Sequence, residues 1–398
     1  MWKEQKVVAA DGIPQAWFGS AVAVSDTVAL VGAKNTSVGA HASQGAVYVL
    51  HNNNGVWTQV QKLVASDGAA GDQFGTAIAM HGSLAIITAP LARVNGRTWQ
   101  GAAYVFALSG GTWVEKQKLV SAGGVAFDTL GTTVAFNSAT AFIGAGGVNQ
   151  AGNIIPRKVC TFEVSSHRTG AWVEGPTLLS PDPDDTTSAF GASMAVSDSF
   201  ALIGARTSTI GANLGQGRVY AYARNHGVWT PVQKIVASDG ATRDNFGVSL
   251  SIDGTIAMIG AFGATINGQV SAGAVYCLEY VAGTWTLTHK LVAADSAAAT
   301  LFGCSVSLCK DALLIGAYAA NAYRGAAYVF RRVADLAGNW KQELKLTASD
   351  GAPSDVFGYF TALDAKTALA GAYPAKIGAN VGQGAAYFFA RPSPGEPD

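Results

Sequence analysis

Small and apolar residues alternate in short stretches along this chain, and the same stretches return about every 56 residues. Each copy contains a Phe-Gly pair and, thirteen residues after its Gly, a Gly-Ala pair. The segment between the two pairs alternates around a tight turn, as in residues 24–28 and 252–256. This pattern predicts a hairpin of two strands in every copy, which we call strands A and B.

The two pairs keep their spacing through all seven copies. The first pair stands at Phe18-Gly19, Phe74-Gly75, Phe190-Gly191, Phe246-Gly247, Phe302-Gly303 and Phe357-Gly358, with Leu130-Gly131 in the third copy. The second pair stands at Gly32-Ala33, Gly144-Ala145, Gly204-Ala205, Gly260-Ala261, Gly316-Ala317 and Gly371-Ala372, with Thr88-Ala89 in the second copy. Such regularity indicates a repeat architecture in which each copy is one structural unit.

Two further strands, C and D, follow the hairpin in each copy. Strand C reads Gly-Ala-x-Tyr in most copies, with tyrosines at Tyr48, Tyr104, Tyr220, Tyr276, Tyr328 and Tyr387. Strand D opens with Trp57, Trp113, Trp172, Trp229, Trp285 and Trp340. Because the recurring Gly and Ala allow backbones to approach closely, we expect these aromatic rings to fill the gaps between units rather than to stack on a ligand.

The last copy lacks a strand D of its own. After its strand C the chain runs into a Pro-rich segment, residues 391–398, which cannot continue a ladder. The missing strand is found at residues 2–8, which begin with Trp2. We therefore predict an all-β fold in which residues 1–390 form a single seven-bladed β-propeller with four antiparallel strands per blade. The N-terminal residues 2–8 supply the outer strand of blade seven and close the ring.

Composition narrows the classes of partner. Charged residues make up 13% of the chain, with 26 basic and 26 acidic residues, so the basic surface that nucleic acid requires is not expected. No apolar run is long enough to span a membrane, and residues 1–4 do not resemble a secretion signal. The four cysteines have no spacing that suggests a disulfide framework, so we expect reduced thiols, which are compatible with the cytosol.

The succession of Phe-Gly, Gly-Ala(-Pro) and Gly-Ala-x-Tyr over residues 2–390 resembles the FG-GAP repeat family, which builds the head of integrin α-chains and related bacterial and fungal propellers. The resemblance implies a recognition role outside the cell or on its surface. It also implies that ligands bind the face carrying the D-to-A and B-to-C loops, which we call the loop face.

Calcium, which integrin-like blades bind between strands A and B, is not expected in this chain. The A-to-B turns are short and carry one carboxylate each, such as Asp26, Asp198 or Asp253. Calcium needs six or more oxygen ligands, so we predict no metal site and no cofactor. The densest acidic group, Asp182 with Asp184 and Asp185, is expected to be a solvated loop.

Motifs that carry enzyme chemistry are absent from the sequence, and we predict no catalytic residues. A Ser-Asp-Gly motif does recur seven residues before the Phe-Gly pair, with Asp67, Asp239 and Asp350, and in variant form with Asp11 and Asp295. An Asp followed by Gly is typical of a turn in which the carboxylate bonds to its own backbone, so a structural role is expected.

Residues that break the repeat are the candidate ligand contacts. Trp17 precedes strand A of blade one, and Trp99 lies in the B-to-C loop of blade two. The same face is expected to carry Tyr318, Tyr323, Tyr373, Arg93, Asn95 and Arg97. Aromatic rings beside planar polar groups suit a sugar or an extended peptide. The alternative is that these rings fold over the rim and close the channel mouth.

Near-identical B-to-C loops form a second candidate site. Residues 210–217 and 377–384 share one pattern, a variant of it occupies residues 38–45, and Asn213 and Asn380 are the candidate contacts. Repeated loops are typical of multivalent lectins. They are equally typical of a Gly-rich turn that needs positive φ angles, and the sequence favours this geometric explanation.

The sequence thus predicts a non-catalytic recognition propeller that binds a glycan, in the manner of a lectin, on the loop face. The alternative is an integrin-like platform that binds a protein on the same face. An enzyme with its site at the channel mouth is a third hypothesis. The sequence leaves the oligomeric state and the cellular compartment open.

Overall fold

The computed structural model describes residues 2–148, 154–165, 170–182, 188–333 and 338–391. Within these residues, 28 strands form seven four-stranded antiparallel sheets, which are the seven blades. The predicted all-β propeller is confirmed. Most of the Pro-rich tail lies outside the described residues, and the limits of a single domain at residues 1–390 stay a prediction.

The strands follow the order A, B, C, D from the channel outward. The chain begins with β1 (Lys3–Val7). Blade one contains β2 (Phe18–Ser25), β3 (Val28–Ala33), β4 (Ala46–Asn53) and β5 (Val56–Leu63). Blade two contains β6 (Ile78–His81), β7 (Leu84–Ala89), β8 (Ala102–Ser109) and β9 (Thr112–Leu119). Blade three contains β10 (Thr133–Phe136), β11 (Thr140–Val148), β12 (Ile154–Val164) and β13 (Trp172–Glu174).

The second half of the ring repeats this order. Blade four contains β14 (Phe190–Val196), β15 (Phe200–Ala205), β16 (Arg218–Asn225) and β17 (Val228–Ile235). Blade five contains β18 (Leu250–Asp253), β19 (Ile256–Ala261), β20 (Ala274–Val281) and β21 (Thr284–Leu291). Blade six contains β22 (Val306–Cys309), β23 (Ala312–Ala317), the short turn α1 (Ala320–Tyr323), β24 (Ala326–Arg332) and β25 (Trp340–Leu346). Blade seven contains β26 (Thr361–Leu363), β27 (Thr367–Ala372) and β28 (Ala385–Ala390).

The first strand of the chain completes the last blade. β1 pairs antiparallel with β28, in a register that runs from Lys3 opposite Ala390 to Val7 opposite Ala386. The sheet order in blade seven is accordingly β26, β27, β28, β1. The predicted closure of the ring by the N-terminal strand is confirmed, and it covers the edge that β28 would otherwise expose.

Glycines allow neighbouring blades to meet around the channel. A Cβ atom added to Gly260 of blade five would fall against the carbonyl oxygen of Gly303 in blade six, far inside van der Waals contact. Gly371 and Gly19 meet in the same way where blade seven joins blade one. The Gly-Ala and Phe-Gly pairs are therefore the two sides of one inter-blade contact.

The recurring aromatic residues lie in the core, as predicted. The six strand C tyrosines and most of the Phe-Gly phenylalanines are fully buried. Trp57 of blade one is 3% exposed and stacks on Phe388 of blade seven, with ring centroids 4.6 Å apart. Stacked rings of this kind add about 0.5–1.5 kcal/mol beyond the area that they bury.

The Ser-Asp-Gly aspartates connect successive blades. Asp350, in the loop between blades six and seven, accepts a hydrogen bond of 2.8 Å from the Tyr387 hydroxyl and pairs with the Lys6 ammonium at 2.6 Å. The equivalent lysine–aspartate pairs are 2.5–2.6 Å apart: Lys62–Asp11, Lys118–Asp67, Lys290–Asp239 and Lys345–Asp295. The expected structural role is correct, but its main partners are a Tyr and a Lys of the following blade.

Glutamine side chains join the outer strands of neighbouring blades. Gln5 of β1 donates from Nε2 to the Trp57 carbonyl at 2.7 Å and accepts from the Trp57 amide at 2.8 Å. Gln61 with Trp113, Gln117 with Trp172, and Gln233 with Trp285 repeat this pair of bonds. Each glutamine therefore extends the hydrogen bonding from one blade edge to the next, and Gln5 does so for the closing strand.

The four cysteines are free thiols; Cys160 and Cys277 are buried, as expected for all four, whereas Cys304 and Cys309 are only partly buried. Among the described residues no helix has the length and apolar character needed to cross a membrane.

Candidate functional site

A channel of about 590 Å³ runs between the innermost strands of the seven blades. Hydroxyl groups and small apolar side chains make up much of its wall. Several of these hydroxyls are already engaged: Ser193 donates to the Gly247 carbonyl at 2.5 Å, and Ser249 donates to the Gly303 carbonyl at 2.8 Å. The wall thus holds the blades together, and the more varied chemistry lies at the end of the channel on the loop face.

The residue after each Gly-Ala pair lies where strand B leads into the B-to-C loop or, in blade three, near the end of β11, and we call these seven positions the channel mouth. They are Lys34, Pro90, Gly146, Arg206, Phe262, Tyr318 and Tyr373. The side chains of Arg206, Phe262 and Tyr318 line the cavity itself. Whereas the Gly-Ala pair is nearly invariant along the chain, the next residue differs from blade to blade, so the mouth is asymmetric.

Aromatic rings from blades six, seven and one form one continuous group, which we call the aromatic cluster. It consists of Trp17, Tyr318, Tyr323, Tyr359 and Tyr373. Tyr359 lies at its centre, with ring centroids 4.6 Å from Tyr318 and 5.7 Å from Tyr373. Trp17 contacts Tyr373 at 5.5 Å, and Tyr323 contacts Tyr318 at 6.3 Å.

Four members of the cluster were candidates from sequence, and Tyr359 was missed. Tyr359 directly follows a Phe-Gly pair, at the position occupied elsewhere by Ser20, Thr76, Thr132, Ala192, Val248 and Cys304. All of these are much smaller than tyrosine, so a comparison of that one position across the copies would have singled out Tyr359. Its side chain lines the cavity, and the residue is 36% exposed.

The hydroxyls of Tyr318, Tyr359 and Tyr373 remain protonated at neutral pH. Burial raises the pKa of Tyr318 to about 12 and also raises the pKa values of Tyr359 and Tyr373. A phenol in this state both donates and accepts a hydrogen bond. The cluster therefore presents apolar ring surface together with neutral hydroxyl groups.

A strained turn presents the outermost ring. Asn321, Ala322 and Tyr323 in α1 have φ angles of 54°, 58° and 62°, in the left-handed region. For residues other than Gly this conformation costs about 1–2 kcal/mol each. The turn leaves Tyr323 50% exposed at the rim of the mouth. Left-handed residues also occur in the B-to-C loops of other blades, as at Ser43, Asn95 and Asn267, so this conformation is shared with other copies of the repeat.

Trp99 lies apart from the cluster. Its ring contacts Phe127 of the next D-to-A loop, with centroids 5.5 Å apart. Arg93 is exposed and donates to the Thr98 hydroxyl at 3.4 Å, and Asn95 occupies a turn with a φ of 50°. The structure thus divides the predicted aromatic arc into a group at blades six, seven and one and a separate group at blades two and three.

The remaining candidates stabilise loops. Asn213 donates from Nδ2 to the Gly240 carbonyl at 3.2 Å, and Asn380 donates to the Gly12 carbonyl at 3.3 Å. Arg97 makes the same contact with the Gly124 carbonyl at 2.7 Å. In each case a B-to-C loop fastens the D-to-A loop of the following blade. These contacts match the geometric explanation of the repeated loops, in which the side chains serve the fold.

Three positively charged side chains lie at or beside the channel mouth. Arg206 lines the cavity, and Arg157 is half-buried in β12 of the preceding blade. The Lys34 ammonium lies 5.2 Å from the centroid of the Trp17 ring, and burial lowers its pKa. Within the described ranges none of these three cations forms an ion pair with a carboxylate. Asp182 pairs instead with Arg218 and Lys234, while Asp184 and Asp185 lie outside the described residues.

Possible metal ligands do not converge in this structure. In the part of the chain that is described, no group of three or more His, Cys, Asp or Glu side chains is placed to hold a metal ion. The groups that the channel mouth presents to a ligand are hydrogen-bond donors, cations and aromatic rings.

The FG-GAP repeat model matches residues 2–50, 57–106, 229–278, 285–330 and 340–389, together more than half of the chain. This chain belongs to the FG-GAP repeat family. The unmatched stretch between residues 106 and 229 includes blade three, where Leu130 replaces the usual Phe. A search of the curated proteins finds no significant match. A propeller of this family is typically non-catalytic, and its fold suggests an interaction platform.

Proposed function

We propose that this chain is a non-catalytic recognition propeller whose ligand, a carbohydrate, binds at the channel mouth against the aromatic cluster. The observation that carries the proposal is the position of Tyr359. Its ring lies between those of Tyr318 and Tyr373 and faces a cavity of about 590 Å³, within the range of small-ligand sites.

The chemistry of the cluster suits a sugar. A sugar ring has apolar C–H faces and hydroxyl edges, and it gains from an aromatic surface with donors and acceptors at its border. Tyr359 and Tyr323 offer exposed ring surface, while Trp17 and Lys34 add an indole and an ammonium group at the blade-one side. A concave site of this size would enclose a few sugar rings rather than a broad protein surface.

A glycan array tests this proposal with two variants. Saturable binding should be lost in Tyr359→Ala, because the central ring is removed, and should persist in Trp99→Ala, because that indole contacts Phe127 away from the cluster. Calcium chelation should leave binding unchanged. Binding that survives Tyr359→Ala and disappears in Trp99→Ala would move the site to blades two and three. An array without any binding would overturn the carbohydrate proposal.

A protein ligand is the second candidate, and one observation favours it. Leu214 and Val270 lie at equivalent positions in the B-to-C loops of neighbouring blades four and five, and they are 65% and 64% exposed. Val381 repeats the feature in blade seven at 55%. Exposed aliphatic side chains on one face are typical of protein-binding surfaces. This candidate agrees with the platform role that the family fold suggests.

The protein candidate predicts a different set of sensitive residues. A bound protein should be captured from an extract by the wild-type chain and lost when Leu214 and Val270 are both replaced by Ser, whereas Tyr359→Ala alone should have a smaller effect. Capture that is insensitive to the double replacement would count against these loops. Under either candidate function, we propose that the protein acts outside the cell or on its surface.

A further inference from the structure

Arg206 at the channel mouth and Arg157 of the adjacent blade form no ion pair with a carboxylate among the described residues. Arg206 of blade four lines the cavity, and its closest polar contact is weak, 3.5 Å from Nη1 to the Asn245 side-chain oxygen. Arg157 of blade three has no ion pair within the described ranges. By contrast, Arg331 and Arg332 at the end of β24 each pair with a carboxylate.

Both arginines break the repeat, Arg206 at a channel-mouth position and Arg157 in β12, across the ladder from the mouth position Gly146. Arg206 directly follows Gly204-Ala205, where other blades carry groups as different as Gly146 and Phe262. Arg157 lies where the β11–β12 pairing slips between Ala145 and Gly147. A bulge of this kind redirects a side chain that regular pairing would hold in register.

The two charges oppose each other. Burial and the neighbouring charge of Arg206 lower the pKa of Arg157. Partly buried cations that repel one another are unfavourable unless an anion enters between them. The Arg206 charge also acts on Tyr359 across the channel, where it opposes the effect of burial on the phenol. Arg206 and Tyr359 line the same cavity, so one small ligand there can contact a guanidinium group and the aromatic cluster together.

We propose that the channel mouth recognises an acidic sugar, with the ligand carboxylate bound by Arg206 and Arg157 and the sugar ring resting on Tyr359. This inference depends on the proposed carbohydrate function and adds the charge of the ligand. A guanidinium group binds a carboxylate through two parallel N–H···O bonds, which is stronger and more directional than a contact between neutral groups. Lys34 lies on the opposite side of the cluster and adds to the positive potential that attracts such a ligand.

A matched pair of probes tests the charge directly. Oligogalacturonate and its fully methyl-esterified form share one sugar backbone and differ in the carboxylates. Isothermal titration of the full chain should show binding of the acidic form and at least tenfold weaker binding of the ester, since hydrogen bonds to charged groups are about twice as strong as those between neutral groups. Raising the salt concentration should weaken the binding of the acidic probe and leave the binding of the ester unchanged.

Three variants locate the effect. Arg206→Gln and Arg157→Gln should each weaken the binding of oligogalacturonate by about tenfold or more. The binding of the ester should be unchanged. Arg243→Gln is the control, because Arg243 is exposed in the adjacent D-to-A loop and its charge is not among those that act on Arg157 or Tyr359. Arg206→Lys should restore part of the affinity, and thermal melts should show that each variant remains folded.

The outcomes separate this inference from the proposed function. If the ester binds as well as the acid through Tyr359, and the arginine variants bind normally, the acidic-sugar inference is wrong and the carbohydrate proposal stands. If an Asp-rich peptide binds through the arginines while neither sugar probe does, both fail in favour of a protein ligand. If none of the probes binds, the acidic-sugar inference is overturned, and the array decides whether any other carbohydrate is bound.

Discussion

The Nζ atom of Lys6 lies 2.6 Å from Oδ2 of Asp350, a residue 344 positions later in the chain. This contact belongs to the repeated lysine–aspartate series, and it is the member that forms only when the ring closes. Ser349 adds to it by donating from its hydroxyl to Glu4 at 2.8 Å. The closing strand is thus bonded to blade six through these side chains, to β28 along its backbone, and to blade one through Gln5.

Removal of residues 1–8 should cause a large loss of stability. The deletion exposes the edge of β28 and leaves Asp350 without Lys6 and Trp57 without Gln5. Unpaired edges also promote aggregation. Thermal unfolding and size-exclusion chromatography should show a lower melting temperature and soluble aggregates. A truncated protein that melts like the full chain would contradict the closure.

The Asp350 contact should depend on pH in a defined direction. Burial raises the pKa of Asp350, but the hydrogen bonds from Lys6 and Tyr387 outweigh burial, and the pKa lies below the usual 3.8. Since the folded-state pKa is depressed, the stabilisation is present above the unfolded pKa and is lost as the pH falls through the folded pKa. Asp350→Asn should therefore reduce the free energy of unfolding at pH 7 by up to about 1 kcal/mol.

The same comparison at low pH provides the check. Denaturant unfolding between pH 7 and pH 2 should show the difference between wild type and Asp350→Asn narrowing below about pH 4, as expected for a depressed carboxyl. Asp198→Asn, at an exposed A-to-B turn, serves as the control and should differ little from wild type at any pH. A difference for Asp350→Asn that stays constant down to pH 2 would show that the ion pair does not contribute.

The glycine contacts around the channel should tolerate no side chain. Gly260→Ala forces a Cβ atom against the Gly303 carbonyl, and we expect a loss of about 1–3 kcal/mol in the free energy of unfolding. Gly123→Ala is the control, because a Cβ atom there has no neighbour within 4 Å. Equal stability of the two variants in chemical denaturation would mean that blades five and six pack less closely than described.

Thiol reactivity should be low in the folded protein. Burial raises the pKa of Cys304 to about 11 and also raises the pKa values of Cys160 and Cys277. The thiolate is the reactive form, so a thiol reagent at pH 7.5 should label these residues slowly until denaturant is added. Rapid labelling of native Cys304, identified by peptide mass mapping, would contradict its placement in the channel wall.

The sequence was sufficient to predict the fold because every local feature repeats. The spacing of the Phe-Gly and Gly-Ala pairs defines strands A and B, and the displaced Trp2 identifies the strand that closes the ring. The residues that recur in each copy are the ones that pack the blades together, and this packing determines the fold.

The site was only partly predictable from the sequence. The spacing of a residue within the repeat assigns it to a face of the propeller, but it does not show which neighbouring blade the side chain contacts. Trp17 and Trp99 both belong to the loop face, yet Trp17 turns towards Tyr373 of blade seven and Trp99 towards Phe127 of blade three. Asn213 and Asn380 look like ligand contacts in the sequence but fasten neighbouring loops. Tyr359 was overlooked because it lies inside the repeat motif.

The tryptophans offer the most direct test of where the ligand binds. The strand D tryptophans of blades one to six are buried, whereas Trp17 is partly exposed within the aromatic cluster. The measurement is the change in intrinsic fluorescence on adding a saturating glycan, compared among wild type, Trp17→Phe and Trp99→Phe. Binding at the channel mouth predicts a change that is lost in Trp17→Phe and kept in Trp99→Phe. A change that persists in Trp17→Phe and disappears in Trp99→Phe would place the ligand at blades two and three and contradict the account.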